Sequence, residues 1–239
     1  MSLILSIDSS ATLACVGLYS ENAILGERAL AWRSASAAKE RAEQLWSLVD
    51  ETLESIQALP AALSLVCVAT GPGSFTGLRT GVATAQGMSL ALGIPLTGVS
   101  LLFAEALSRA EKNSAVCVFL PASPNDHYQA GFLFGDSREV LKCTPLAVVP
   151  TGSKDAAVEQ LRREYSRPVL CMEGILQGDD STRKICIASL ESIHGSAIDE
   201  AGHRVRAMPG QPVPLIYGKS ARAKTVAQRQ IEGGRAGKE

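Results

Sequence analysis

The sequence is poor in the features that would place it at once in a functional class. Aromatic residues make up 5% of its 239 residues and the formal net charge is −1, so overall charge favours neither nucleic-acid binding nor a membrane surface. The three histidines, His127, His194 and His203, lie far apart and show no HxxxH or HExxH spacing. We therefore predict no metal site.

Cysteine pairs and long apolar runs are also missing. The six cysteines form no CxxC or similar zinc spacing, and Cys15, Cys67 and Cys117 lie in apolar, strand-like runs where a reduced thiol behaves as a small hydrophobic group. No apolar run is long enough to span a bilayer. The amino-terminal run is interrupted at Asp8 and follows no basic region, unlike a signal peptide. We expect a cytoplasmic protein with free thiols and no membrane contact.

Complete catalytic motifs are absent as well. Ser74 lacks the GxSxG setting of a nucleophile elbow, and Cys67 and Cys117 have no local activating partner. We predict no catalytic residues.

What the chain does have is an alternation of strand and helix patterns. Three short apolar runs open it, and residues 38–57 then follow a helical period with Leu45, Val49, Leu53 and Ile56 on one face. A strand, a helix, a strand and a helix follow to about residue 108. This order predicts an α/β fold with a mixed sheet, followed by a second α/β unit.

A glycine-rich stretch, TGPGSFTGLRTG at residues 70–81, separates a buried strand from a helix. It matches neither the dinucleotide fingerprint nor the P-loop. A turn of this kind exposes backbone N–H groups at a helix start, capped by Ser74 or Thr76, and so can hold a phosphate. Asp8 at the end of the first strand can hold a metal–phosphate complex or cap a turn. Both alternatives stay open.

The helix after this turn carries small residues every four positions. They are Gly77, Gly81, Ala85 and Ser89, ahead of Gly93. Glycine inside a helix costs about 0.5–1 kcal/mol relative to alanine, so the stripe indicates that another backbone approaches closely. Packing inside the subunit and a helix contact between subunits are equally compatible with the spacing.

Three segments resemble the TsaB (YeaZ) family. They are GPGSFTGLRTGVATAQGMSLALGIPLTGVSLL at residues 71–102, ILSIDSSATLACVGL at the amino terminus, and PLIYGKS at residues 214–220, where Ile216 interrupts the family's Pro-Leu-Tyr motif. The resemblance implies an actin-like ATPase fold with two lobes. It divides the chain into a first lobe at 1–111, a divergent second lobe at 112–219 and a flexible basic tail at 220–239.

The family resemblance also implies a function. Family members are non-catalytic paralogues of TsaD, the subunit that carries the metal and transfers a threonylcarbamoyl group to adenosine 37 of tRNA. The implied partners are a TsaD-like subunit, a TsaE-like ATPase, a second copy of the chain, and tRNA through the complex. No cofactor is implied to bind firmly, although ATP and magnesium are possible in the complex.

The resemblance favours particular site residues. First-lobe helices pair with the partner, which assigns the interface to Leu45, Trp46, Val49, Gly77, Gly81, Ala85 and Ser89. In actin-like folds the glycine loop lies near a nucleotide cleft, which gives Asp8, Ser9, Gly71, Gly73 and Ser74 as a weak nucleotide-binding set. The alternative functions are an ATP-dependent small-molecule kinase and a glycoprotease-like peptidase.

Two segments depart from the family pattern. Arg41-Ala42-Glu43 replaces a His-Ser-Glu segment, which further argues against metal binding. Residues 121–128, PASPNDHY, replace an Asp-Ala-Arg segment that leads to Glu-Val-Tyr, and only Ala122 and Tyr128 match. The role of the second lobe is therefore not implied by the resemblance.

Overall fold

The computed structural model describes residues 3–20, 23–31, 38–173, 184–185, 203–209 and 211–215. The first lobe contains β1 (Leu3–Asp8), β2 (Leu13–Ser20), β3 (Ala23–Ala31), α1 (Ala38–Glu54), a 3₁₀ turn (Pro60–Ala62), β4 (Leu63–Gly71), α2 (Phe75–Leu92), β5 (Leu96–Ser100) and α3 (Leu101–Arg109). There follow β6 (Ala115–Ser123), β7 (Asp126–Phe134), β8 (Val140–Cys143), β9 (Ala147–Pro150), a 3₁₀ turn (Thr151–Ser153), α4 (Lys154–Tyr165), β10 (Val169–Glu173) and β11 (Arg204–Ala207).

Two mixed sheets organise these elements. The first has the strand order β11-β5-β4-β1-β2-β3. Strands β1, β4 and β5 are mutually parallel. The pairs β5–β11, β1–β2 and β2–β3 are antiparallel. The second has the order β10-β6-β7-β8, where β8 pairs with the carboxy-terminal end of β7 and β9 pairs with its amino-terminal end. The predicted α/β class, with mixed sheets flanked by helices, is confirmed.

The helices form layers around the two sheets. Helices α1 and α2 cover one face of the first sheet, and α3 lies between its other face and the second sheet. In that central layer the rings of Phe103 and Phe132 lie 5.8 Å apart. Helix α4 covers the far face of the second sheet. Because α1 and α2 are an outermost layer, only one side of each is used by the fold.

Local signals in the sequence set the helix ends. Ser74 caps α2, since its Oγ accepts the Gly77 N–H at 3.3 Å, and Ser100 caps α3 by accepting the Phe103 N–H at 3.1 Å. Gly93 ends α2 at φ 68°, in the left-handed region that glycine adopts without strain. Of the two predicted caps of α2, Ser74 or Thr76, the structure confirms Ser74.

The carboxy-terminal region returns to the first lobe. Strand β11 pairs antiparallel with β5, and Val213 is buried against Gly98, where a Cβ would overlap the valine side chain. The predicted second lobe of 112–219 is therefore corrected for β11, Val213 and Leu215, which pack on the first lobe. The boundary near residue 111 falls in the turn between α3 and β6, and the predicted tail at 220–239 lies outside the described residues.

No described helix is both long enough and apolar enough to cross a bilayer.

Candidate functional site

The glycine-rich turn joins β4 to α2 and lies against the loop between β1 and β2. The backbone N–H of Ser74 donates to the carbonyl of Ser10 at 2.5 Å, and Ser9 Oγ donates to the carbonyl of Gly77 at 2.9 Å. A Cβ on Gly73 would overlap the Ser10 carbonyl oxygen. Another backbone does approach these glycines closely, and it belongs to the same chain.

The residues predicted to bind a nucleotide come together at this turn. They are Asp8, Ser9, Gly71, Gly73 and Ser74. Asp8 and Ser9 have no exposed surface, and Asp8 Oδ1 accepts the Ser10 N–H at 2.9 Å, which is the turn-capping alternative. A phosphate at a helix start needs backbone N–H groups that are open to it, and the N–H groups of Ser74 and Gly77 are already engaged. Part of the predicted set is therefore engaged by contacts within the chain, and nucleotide binding stays a prediction.

The small-residue stripe of α2 faces the interior of the first lobe. Its members are Gly77, Gly81, Ala85 and Ser89, all of them buried. A Cβ on Gly77 would overlap the backbone oxygen of Ser9, and one on Gly81 would overlap Ser9 Oγ. The structure therefore decides the open alternative in favour of packing within the subunit. The assignment of these four residues to partner contact is corrected.

Helix α1 divides its three predicted interface residues between core and surface. Leu45 and Val49 are buried in the core against the first sheet, because they lie on the apolar arc of the helix. Their assignment to partner contact is corrected for the same reason. Trp46 keeps 42% of its surface exposed, and it is the member of the predicted interface set that remains available to a partner.

The fold leaves one side of the α1–α2 pair open, and we call this surface the outer helical face. It comprises Ala42, Trp46, Phe75, Thr76, Arg79, Thr80, Ala83, Thr84, Gly87 and Leu90. The first eight of these residues line a groove of about 540 Å³ between the helices. Phe75 and Leu90 are 44% and 63% exposed, respectively. The face thus combines large exposed apolar side chains with small residues, as docking surfaces do.

Gly87 is the least expected residue on the outer helical face. It lies inside α2, where glycine costs about 0.5–1 kcal/mol relative to alanine. Apart from its chain neighbours and the backbone of its own helix, no described atom comes within 4 Å of the position that its Cβ would occupy. The packing of the described residues therefore gives no reason for a glycine here, in contrast to Gly77 and Gly81.

The groove is uncharged except for one guanidinium. The guanidinium carbon of Arg79 lies 5.2 Å from the centroid of the Phe75 ring, in cation–π contact. The other lining residues are alanine, threonine, tryptophan and phenylalanine. This arrangement can bind an amphipathic helix and offers no acid–base pair for chemistry.

A buried histidine fastens the two lobes together. His203 has no exposed surface; its Nε2 lies 2.8 Å from the carbonyl oxygen of Thr144 and its Nδ1 lies 2.7 Å from Ser100 Oγ. Because a carbonyl only accepts, Nε2 carries the proton and donates, and in the neutral ring Nδ1 accepts the Ser100 hydroxyl proton. Burial lowers the pKa of His203 below its usual 6.5, although the bond to the Thr144 carbonyl acts in the opposite direction.

The thiols of the second sheet are poor nucleophiles. Burial raises the pKa of the Cys117 thiol to about 12, despite a hydrogen bond from Gln129, and burial also raises the pKa of Cys171. A thiol with a raised pKa supplies little thiolate. Within the described ranges, no cluster of three or more His, Cys, Asp or Glu side chains could hold a metal ion.

The divergent segment at 121–128 forms a hairpin between β6 and β7. Ser123 Oγ donates to Asp126 Oδ2 at 2.7 Å across its turn, and Tyr128 is buried in the layer between the sheets. Nothing in its contacts assigns it a role beyond closing the hairpin.

Several outer-face residues and His203 are missing from the sequence-based prediction of the site. The sequence holds a signal for the outer face, because Leu78, Val82 and Met88 lie on the same arc as the glycine stripe and require that arc to face inward. No comparable signal marks His203, whose two ring contacts lie 59 and 103 residues away along the chain.

Comparison with known proteins finds partial sequence matches and a broader match in fold. Residues 35–137 match the family model described as TsaD: tRNA N6-adenosine threonylcarbamoyltransferase. The tRNA threonylcarbamoyladenosine biosynthesis protein TsaB of Escherichia coli strain K12 is 30% identical over 115 residues, which cover 48% of this chain and 47% of that protein. The protein of the same name from Bacillus subtilis strain 168 is 32% identical over 99 residues, or 41% of each chain.

These sequence matches are partial, whereas the match in fold is broad. The chain spans about half the length of the curated relatives it matches. The solved structure of YeaZ from Pseudomonas aeruginosa aligns with 90% of this chain and 100% of its own, with a TM-score of 0.59 and 21% identity. The chain is thus similar over about half of its length to proteins named TsaB, and over most of its length to the fold of YeaZ.

Proposed function

We propose that this chain is a non-catalytic subunit of the machinery that makes N6-threonylcarbamoyladenosine in tRNA. It supports a TsaD-like catalytic subunit by docking on it through the outer helical face. A TsaE-like ATPase joins the same complex, and tRNA reaches the chain only as part of the complex. When the partner is absent, the same face pairs two copies of the chain.

The names of the relatives support the pathway. The matched proteins of E. coli, Buchnera aphidicola and B. subtilis are all called tRNA threonylcarbamoyladenosine biosynthesis proteins. The matched segment of the first contains about half of this chain, and the family-model match at 35–137 includes all of α1 and α2. The docking helices thus lie in the part of the chain that resembles its relatives.

The environment of Gly87 is the single observation that carries the docking proposal. A helix interior tolerates a glycine with empty space above it when a second helix fills that space, because the distance between helix axes depends on the side chains at the contact. Trp46, Phe75 and Leu90 are exposed on the same outer helical face, and Leu90 lies about one turn beyond Gly87 on α2. Fully burying a large apolar side chain is worth about 1.5–3 kcal/mol, so covering this face would stabilise a complex.

The character of the described residues supports a non-catalytic role. Asp8 is buried and caps a turn. The Cys117 thiol is held protonated by burial. The net charge of −1 gives the chain no general attraction for tRNA, which fits contact with tRNA through the complex.

The test is a calorimetric titration of the chain with the TsaD-like subunit from the same source. We expect the parent chain to bind, and Gly87→Leu and Leu90→Glu each to weaken binding by roughly tenfold or more, because one fills the approach space and the other places a charge at the contact. Leu59→Glu is the matched control: Leu59 is 74% exposed and outside the outer helical face, so its change should leave affinity unaltered.

A cellular readout connects docking to function. In cells depleted of their own TsaB, the parent chain should restore threonylcarbamoyladenosine in tRNA, measured by mass spectrometry of nucleosides, and Gly87→Leu should restore less. Failure of the parent chain to bind the TsaD-like subunit, or full activity of Gly87→Leu in both assays, would reject the proposal.

A further inference from the structure

Arg79 is the one charged side chain lining the groove of the outer helical face. It is exposed, lies in the second turn of α2, and stands over the ring of Phe75 one turn earlier. Contact with the ring orients the planar guanidinium and limits the rotamers it samples. The cation is therefore held in place before any partner arrives.

Among the described residues, no carboxylate oxygen lies within 4.0 Å of the Arg79 guanidinium, since all six ion pairs there involve other cations. The acidic residue Glu43, on the neighbouring helix, pairs instead with Lys39 at 3.8 Å. The guanidinium thus has an aromatic face beneath it and no described counter-charge.

A protein that covers this groove takes Arg79 out of water. Removing a cation from water without giving it a partner costs more free energy than the apolar contacts around it can offset. A guanidinium has a fork of N–H donors that matches the two oxygens of a carboxylate. The chemistry that satisfies the covered groove is therefore an aspartate or glutamate side chain.

We infer that Arg79 is the specificity contact of the outer helical face and that it pairs with a carboxylate on the docked helix of the TsaD-like subunit. This inference rests on the proposed function and adds the chemistry by which the partner is recognised. A second copy of the chain presents the same groove lining, which holds no carboxylate. The ion pair therefore favours the catalytic partner over self-association.

The experiment measures the dissociation constant for the TsaD-like subunit at about 50 and about 300 mM salt, a range over which exposed charge interactions are progressively screened. Arg79→Gln should weaken binding roughly tenfold or more at the lower concentration and should reduce its dependence on salt. Arg79→Lys should recover part of the loss, because lysine keeps the charge and loses the fork. Arg163→Gln on α4 makes the same change in net charge on an exposed side chain and should match the parent.

A charge reversal identifies the partner residue. Arg79→Glu should abolish binding, and changing one aspartate or glutamate of the TsaD-like subunit to lysine should restore it. Thermal melts of each variant serve as the control that these exposed substitutions leave the fold intact. If the parent binds and Gly87→Leu does not, but Arg79→Gln matches the parent at both salt concentrations, the inference about Arg79 fails and the docking proposal stands. If the parent itself does not bind, the docking proposal fails first.

Discussion

The two faces of α2 both contain glycine, but the inner face packs against the chain itself and the outer face is left uncovered. On the inner face, Gly77 and Gly81 leave room for the backbone and side chain of Ser9, so the missing side chains are filled by the chain itself. On the outer face, Gly87 has no described neighbour. A small residue in a helix therefore does not by itself show that another segment packs closely against it. The packing segment has to be identified as well.

The largest expected effect is a loss of stability when a residue on the inner face of α2 is enlarged. Gly77→Ala places a Cβ on the Ser9 backbone oxygen, which cannot rotate away, and such overpacking costs about 1–3 kcal/mol. We expect the free energy of unfolding, measured by urea denaturation, to fall by about 2 kcal/mol or by enough to prevent folding. A stability equal to that of the parent would mean that the two loops do not pack as described.

The second prediction concerns the pH dependence of stability that the buried His203 causes, which depends on internal packing and not on docking. The folded ring resists protonation because burial lowers its pKa, whereas the unfolded chain titrates near 6.5. Below pH 6.5 the unfolded state therefore binds a proton that the folded state refuses, and stability falls with pH by at most about 1.4 kcal/mol per unit from this residue. The stability that the neutral ring contributes is fully present above pH 6.5 and is lost as the pH falls towards the folded pKa.

Replacing the ring checks this assignment. His203→Gln cannot titrate, so the fall in unfolding free energy below pH 6.5 should become shallower, while affinity for the TsaD-like subunit at neutral pH changes little. Identical pH profiles for His203→Gln and the parent would contradict the role given to the buried ring.

The third prediction is a gain in the stability of the isolated chain from a substitution on the outer helical face. Gly87→Ala adds a methyl group where no described atom stands and restores helix propensity, so the isolated chain should gain about 0.5–1 kcal/mol in urea denaturation. Its sign is opposite to that of Gly77→Ala. A loss of stability, measured at a concentration where the chain is monomeric, would show that the position is occupied within the monomer.

The smallest expected effect concerns the glycine-rich turn. Because Asp8 and Ser9 are buried, a calorimetric titration of the isolated chain with magnesium and ATP should give no saturable heat. Magnesium-dependent binding that disappears in Asp8→Ala would favour the kinase alternative.

Much of the fold follows from local sequence signals, but these signals do not show which segment each helix face packs against. Ser74, Gly93 and Ser100 fix helix ends through contacts a few residues away, and these are visible in the sequence. The four-residue spacing of Gly77 and Gly81 locates a close approach but gives no partner for it. That partner, Ser9, lies 68 residues away from Gly77 along the chain, and its contact is set by sheet topology rather than by spacing.

The return of the carboxy-terminal region is a second case of a contact that local patterns do not encode. The run at Arg204–Ala207 alternates basic and apolar residues over only four positions, which is too short to name a partner strand, and its pairing with β5 becomes evident only once the sheet is assembled. The helical period likewise does not separate Trp46, which is exposed, from Leu45 and Val49, which fall on the buried arc of the same helix; a partner contact at Trp46 stays a prediction.

Hydroxyl-radical footprinting of the chain with and without the TsaD-like subunit tests the central claim most directly, because it reports the exposure of individual side chains. Trp46, Phe75 and Leu90 should lose reactivity when the complex forms, and Leu59 should not change. A complex that forms while all three outer-face side chains keep the reactivity of the free chain would contradict the account.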